Sequence, residues 1–438
     1  MFETLKNALK IKDIRKKLGF TFFIMVIVRL GCQLPIPGID TAQVSAYLQQ
    51  TLGDSFSLLN SFTGGSFLSM SLFALNVSPY ITASIIMQLL TIAIPALEEM
   101  HNDGEEGKKK MAKITRYVTI ALAILEATGI AIGFGNQGLL GTDYSKMTIV
   151  IMVAALVAGA SMVMWLGERI TEKGVGNGIS IILLINIVSR MPNDFYGLYQ
   201  KFIQDKQIGD MVIAAVVILV VILGTIVLTI LLQDAERRIP VQYSKKLQGR
   251  KMVGGQSTHI PLKVNTAGVI PIIFASSLLQ FPLIISQFFT VDASSTAGKI
   301  IACLNQGNWC DPENPARSVG LLVYIVLCVL FAYFYTSITF NPIEVSNNMK
   351  KNGGFIPGIR PGRPTTDYLN KILNSIIFIG AVGLVIVAVI PIFFSGVFGA
   401  DVSFGGTSLI IVVGVVLETI QQIESQMLVR HYSGFLSE

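Results

Sequence analysis

Charge is what this 438-residue sequence has least of: 14% of its residues are Asp, Glu, Lys or Arg, against roughly 25% in an average soluble domain. A water-exposed globular fold of this length needs more polar surface than that, which excludes the ordinary soluble classes. Histidine and cysteine are scarce too, at three and four residues. His101, His259 and His431 stand far apart in polar stretches, and no two cysteines form a CxxC pair, so no metal site and no disulfide framework is expected. The HExxH, GxSxG and P-loop strings are all missing, which removes the common hydrolytic and nucleotide chemistries. The chain is therefore read as a non-enzyme without cofactor. GVGNG, from Gly174 to Gly178, imitates part of a dinucleotide fingerprint but follows an apolar helix instead of a strand, and reads as a tight helix start.

What is there is apolar. Hydrophobic residues make up 52% and the mean hydropathy is +0.63. Lipid accepts such side chains and requires the backbone to bond to itself, so the expected class is an all-α membrane protein. Apolar runs near the roughly 20 residues that cross a bilayer occur at about 18–34, 76–95, 115–136, 147–167, 178–192, 210–232, 267–290, 318–340, 371–394 and 404–429. Ten spans put both termini on one side. Placing them in the cytoplasm assigns about 26 Lys and Arg to the inner side and about 6 to the outer, with Arg29 inside the first span, the bias that the positive-inside rule demands. The basic, amphipathic residues 1–17 lack a secretory cleavage pattern and read as a cytoplasmic helix. The spans divide into two blocks of five, 18–200 and 201–430, followed by a tail at 431–438. Blocks of odd number must be inverted relative to each other, which suits paired repeats with a pore at their interface.

Several stretches depart from a plain bundle. Residues Phe56 to Tyr80 are apolar but broken by Gly64, Gly65, serines and Pro79. Such a segment either fills a cavity inside the protein or lies as an amphipathic hairpin on the outer leaflet. Ile81 and Ile85, like Ile179 and Leu183, are spaced to stack on one helix face. They are either ordinary packing or part of an apolar ring that gates by excluding water. Arg29, Glu126 and Glu418 are ionisable groups within spans, marking function or structural pairing, with Asn265 a possible polar partner for Glu126. Cys303 and Cys310 share an outer loop, and a local disulfide between them stays open. Two inner loops, 233–266 and 341–370, are long and basic. They either anchor topology against anionic lipid or dock large partners. A secondary transporter would also use many helices, but the midplane candidates here are aliphatic. An intramembrane enzyme lacks its catalytic residues.

Six ordered blocks carry a family resemblance: LPIPGID at 34–40, SPYITASIIMQLLT at 78–91, WLGERITEKGVGNGISII at 165–182, QSTHIPLKVNTAGVIPIIFASS at 256–277, FNPIEVSNNMKKNGGFIPGIRPG at 340–362 and GGTSLIIVV at 405–413. Over its whole length the sequence resembles the SecY family. The resemblance implies a channel subunit of the bacterial Sec translocon, passing unfolded secretory proteins across the cytoplasmic membrane and releasing transmembrane segments sideways into lipid. It implies a pore ring of Ile81, Ile85, Ile179, Leu183, Ile273 and Ile411, with Leu183 where isoleucine is often found. It implies a plug at about 56–75, including Ser57, Asn60, Phe62, Gly64, Gly65 and Phe67. A lateral gate is implied between the second, third, seventh and eighth spans, with Glu126 and Asn265 in its polar cluster; a carboxylate stands at 126 where an amide is frequent. Arg237, Arg238, Arg250, Lys251 and Arg360 match loops that dock the ATPase SecA or the ribosome through its rRNA phosphates. SecE-like and SecG-like small membrane subunits, signal sequences, nascent chains and membrane lipids complete the implied partners.

Overall fold

The computed structural model describes residues 8–37, 39, 41, 43–46, 62–136, 138, 146–204, 208–243, 246–248, 251–253, 257–286, 295–310, 315–398 and 406–434. Within them stand ten helices of 16 residues or more, one over each apolar run: α1 (Lys12–Gly31), α2 (Ser78–Ala93), α4 (Gly104–Asn136), α5 (Lys146–Lys173), α6 (Gly178–Phe202), α7 (Ile208–Asp234), α8 (Ile270–Ser286), α10 (Val319–Thr339), α12 (Arg363–Phe398) and α13 (Gly406–Gly434). Three short helices accompany them: α3 (Pro95–Asn102), α9 (Thr296–Leu304) and α11 (Pro342–Lys351). Six helical stretches are long and apolar enough to cross a bilayer by length and composition alone, and α2 with α3 forms a further, sharply bent pair, 109° at the break. The break falls at Ile94, before Pro95, whose ring cannot continue a helix.

Neighbour relations repeat with a shift of five spans. In the first block α2 packs on α4, α4 on α5, and α5 on both α1 and α6. In the second, α8 packs on α10, α10 on α12, and α12 on both α7 and α13. The blocks meet broadly where α6 lies on α13, and on the other side only through a thin seam between α8 and the pair α2 and α4.

One end of the bundle carries a small sheet that the all-helical expectation did not contain. β1 (Glu236–Tyr243) lies between β4 (Ser257–Lys263) and β5 (Gly354–Phe355), antiparallel to both, in register from Glu236 opposite Lys263 to Gln242 opposite Ser257. β2 (Lys246–Gln248) and β3 (Lys251–Val253) form a separate hairpin. The sequence ERRIPVQY alternates as a half-buried strand should: Ile239 and Val241 are buried, and Arg238, Pro240 and Gln242 are exposed. Those two side chains join Leu262, Met349, Ile356, Leu369, Ile372 and Ile376 in one apolar core. The two long loops, separate in sequence, are thus one unit capping the ends of α7, α8, α10 and α12.

Lys263 at the end of β4 donates to the Gln421 side chain at 3.3 Å, and Lys17 of α1 donates to Gln426 at 3.2 Å. Ala8, Ile14, Val175 and Ile423 pack together nearby. The start of α1, the later part of α13 and the sheet therefore share one end. At the opposite end Trp309 is fully buried and its indole donates to the Cys303 carbonyl at 2.7 Å. All four cysteines are free, so no Cys303–Cys310 bond is present.

Candidate functional site

The aliphatic residues singled out at the centre of the chain arrive from both blocks. Pro79 sits in the first turn of α2, where its missing N–H costs nothing, and sets the start from which Ile81 and Ile85 project one turn apart. α6 begins at Asn177, whose side chain accepts from the backbone N–H of Ile179 at 3.1 Å and of Ser180 at 3.5 Å, a standard N-cap. Gly178 then lets α6 approach α5 so closely that a methyl there would overlap the Gly167 carbonyl. This fixes Ile179 and Leu183, the next residues on that face. α8 and α13 supply Ile273 and Ile411.

Ile81, Ile179, Leu183, Ile273 and Ile411 all fall in one apolar cluster with Val77, Ile182, Val415 and Val269. Ile85 belongs to the adjoining cluster on the α8 and α10 side, and Ile81 and Val269 are shared by both. Five of the six residues thus belong to or pack against one apolar cluster, and the sixth belongs to the cluster that adjoins it. Ile85, Leu183 and Ile411 are buried, and Ile81, Ile179 and Ile273 half-buried. None of the six faces outward as the bare residues of α7 do, such as Ile213 and Leu219 at 64% and 57% exposure.

The broken segment lies against this cluster. Of the residues singled out there, Ser57 and Asn60 are outside the described residues. Phe62 packs on that same apolar cluster, and Phe67 is buried in the neighbouring core of α4 and α5. The chain turns through Gly64 and Gly65 at φ +65° and +89°, a left-handed region that glycine occupies without strain. Two side chains from the spans hold its backbone: Asn186 of α6 donates to the Phe62 carbonyl at 3.1 Å, and Arg29 of α1 to the Gly64 carbonyl at 3.3 Å. Its later part is tied to the stretch after α1, with Ile36 N–H donating to Met70 at 3.1 Å and Leu72 N–H to Leu34 at 2.7 Å. From Phe62 on, the described part of the segment is therefore mostly buried instead of lying on a surface. A polar recess of about 480 Å³ beside it is lined by Arg29, Gln33, Gly64, Gly65, Ser69 and Arg190.

Arg29 thus has a defined partner inside the fold, and Glu418 of α13 is exposed. Glu126 is buried in α4 and Asn265 at the approach to α8, at 8% and 5% exposure. They do not bond to each other, and the Asn265 amide nitrogen has no partner among the described residues. At the sheet end Arg237, Arg238 and Arg360 are exposed. Arg238 pairs with Glu236 at 2.6 Å. Arg360 projects from a turn in which Gly358 and Gly362 take φ +82° and +102°, held by Thr365 donating to the Arg360 carbonyl at 2.9 Å and Ser346 to the Gly362 carbonyl at 3.0 Å. Arg250 is outside the described residues, and only the backbone of Lys251, in β3, is described. Asn186 escaped the sequence reading; a lone amide mid-helix in an apolar run was the available signal.

The SecY family model matches residues 71–420. "Protein translocase subunit SecY" of Streptomyces scabiei is 45% identical with both chains covered in full. The protein of that name from Mycobacterium bovis is 42% identical, again over both full lengths. Among solved structures, "The structure of a protein conducting channel" matches at TM-score 0.63 and 15% identity, covering 94% of this chain and 93% of that one. "Sec61 in the Canine ribosome-channel complex from the endoplasmic reticulum" matches at TM-score 0.60 and 16% identity, covering 94% and 93%. Full-length identity well above 30%, with a channel fold throughout, means that the chain belongs to the SecY family.

Proposed function

We infer that the chain is the protein-conducting channel subunit of a bacterial Sec translocon, with a pore that passes through the aliphatic cluster. The observation that carries this reading is the convergence of Ile81, Ile179, Leu183, Ile273 and Ile411 from both five-helix blocks onto one place beside an internal, non-helical segment. An unfolded substrate exposes backbone polar groups and needs a wet path, while a resting membrane must hold back ions. A narrow aliphatic ring meets both demands. It offers an ion nothing to replace its hydration shell, yet it deforms around a threaded chain.

The broken segment acts as the plug, seated by the two hydrogen bonds from Asn186 and Arg29 to its backbone. The neutral Asn186 bond contributes about 0.5–1.5 kcal/mol net and the charged Arg29 bond about 1.5–3 kcal/mol, together small enough for an arriving substrate to displace. The thin α2/α4–α8 seam serves as the lateral gate. Through it an apolar signal sequence or membrane helix gains about 0.8 kcal/mol per CH₂ transferred to lipid.

The sheet end faces the cytoplasm in this reading, as its Lys and Arg content favours, and both termini lie there. Exposed Arg237, Arg238 and Arg360 present guanidinium groups to SecA carboxylates or ribosomal RNA phosphates. One face of α7 is bare: 6% of its most apolar stretch is buried, against 28–44% for the other five such stretches. That face, with the apolar groove it forms with α6 around Phe195, Tyr199 and Leu219, supports a small SecE-like or SecG-like membrane subunit. The test is resting ion conductance in planar bilayers. Ile81→Ser with Ile179→Ser is expected to raise it, and unchanged conductance removes the ring.

A further inference from the structure

Between the plug segment, the start of α2 and α8 lies a second, much smaller recess, about 20 Å³, lined by Phe62, Thr63, Asn76, Ser78, Ser277 and Gln280, with Ile81 and Ile273 of the ring on its wall. That volume suits one water, which needs on the order of 10–15 Å³ by this measure and two to four polar partners. Asn76 is 1% exposed, and both its amide oxygen and its amide nitrogen are buried without a hydrogen-bond partner. Its backbone sits at φ +48°, a conformation that asparagine tolerates and glycine takes more easily. Glycine alone would meet the backbone demand; asparagine adds an amide, buried beside the recess that Asn76 helps to line.

We propose that this recess is a built site for a single buried water, held by the Asn76 amide and shared with the polar side chains of α8, which latches the shut channel across the α2–α8 seam. The water accepts from and donates to the amide, filling two of its bonds on the α2 side. Ser277 and Gln280 are the polar groups that α8 presents to the same space. Phe62 and Thr63 close it from the plug side, so the site exists only while the plug is seated and α8 rests against α2. Parting of the seam opens the recess to bulk water and dissolves the bridge. The role in gating rests on the ring reading above; occupancy of the site does not.

Two measurements on the full chain in its membrane complex test this. A map at a resolution that shows ordered water is expected to hold one density peak beside the Asn76 amide, lost in Asn76→Gly; an empty recess overturns the proposal. In planar bilayers, Asn76→Gly and Gln280→Leu are each expected to raise the frequency of resting openings about fivefold, the equivalent of one net hydrogen bond, and the double variant no further than the stronger single. An amide that is truly unpartnered destabilises the shut state, so its removal would leave openings unchanged or make them rarer, and that sign overturns the latch. The map reads the recess itself and Ile81→Ser reads the ring, so failure of one is told apart from failure of the other.

Discussion

Gly178 decides more about the centre of the molecule than its size suggests. It allows the N-terminus of α6 to lie on α5 at the Gly167 carbonyl, and Ile179 and Leu183, the two proposed ring residues of α6, follow within the next five positions. Gly178→Ala forces backbone apart in a packed interface, where overpacking costs about 1–3 kcal/mol. Thermal unfolding in detergent should report a lowered midpoint, and an unchanged one would show the approach to be slack. At the same scale, Asn186 and Arg29 bond to the broken segment at backbone carbonyls, so in the proposed function they seat the plug whatever side chains it carries. Asn186→Leu removes one donor, and accessibility of a cysteine placed at Phe62 is expected to rise several-fold, following about 1 kcal/mol of lost seating energy. Unchanged accessibility would leave Asn186 a packing residue. The cysteines follow from the structure directly: four thiols should titrate on denatured, non-reduced protein, and two would contradict the free Cys303 and Cys310.

Among the elements, the spans were legible and the sheet was not. Each apolar run in the sequence became a helix because hydrocarbon leaves the backbone no other partner, and ten runs of suitable length leave little freedom. The helix ends were less legible. α4 begins at Gly104 and α6 runs on to Phe202, each about ten residues beyond its apolar run, because polar residues continue a helix into water without penalty. The strand ERRIPVQY has the alternation of a half-buried strand, but its partners β4 and β5 lie about 20 and over 100 residues away. No local pattern reveals pairing at that distance. The proposed ring positions were marked by i,i+4 spacing only within α2 and α6; their sharing a cluster with Ile273 and Ile411 is tertiary. The buried Glu126 was visible as a carboxylate inside a span, whereas its lack of a bond to Asn265 required the fold.

For the whole molecule, the sheet makes one unit from two loops, in the proposed function a docking platform with the Arg360 turn as its pinned, projecting point. Arg360→Glu reverses a charge at that point without touching the core beneath it. SecA-driven export of a preprotein into vesicles is expected to fall at least tenfold while the protein's thermal stability stays unchanged; normal export would remove Arg360 from the platform. The larger design is two five-helix blocks joined broadly at α6 and α13 and thinly at the α2/α4–α8 seam, with the aliphatic cluster between them. Its central claim is that a translocating chain runs through that cluster. The direct measurement is photocrosslinking from a preprotein arrested halfway across, with the reactive group placed in turn at Ile81, Ile179, Ile273 and Ile411 and, as the outward-facing control, at Ile213. The account predicts crosslinks from all four inner positions and none from Ile213; a substrate that crosslinks to none of the four would contradict it.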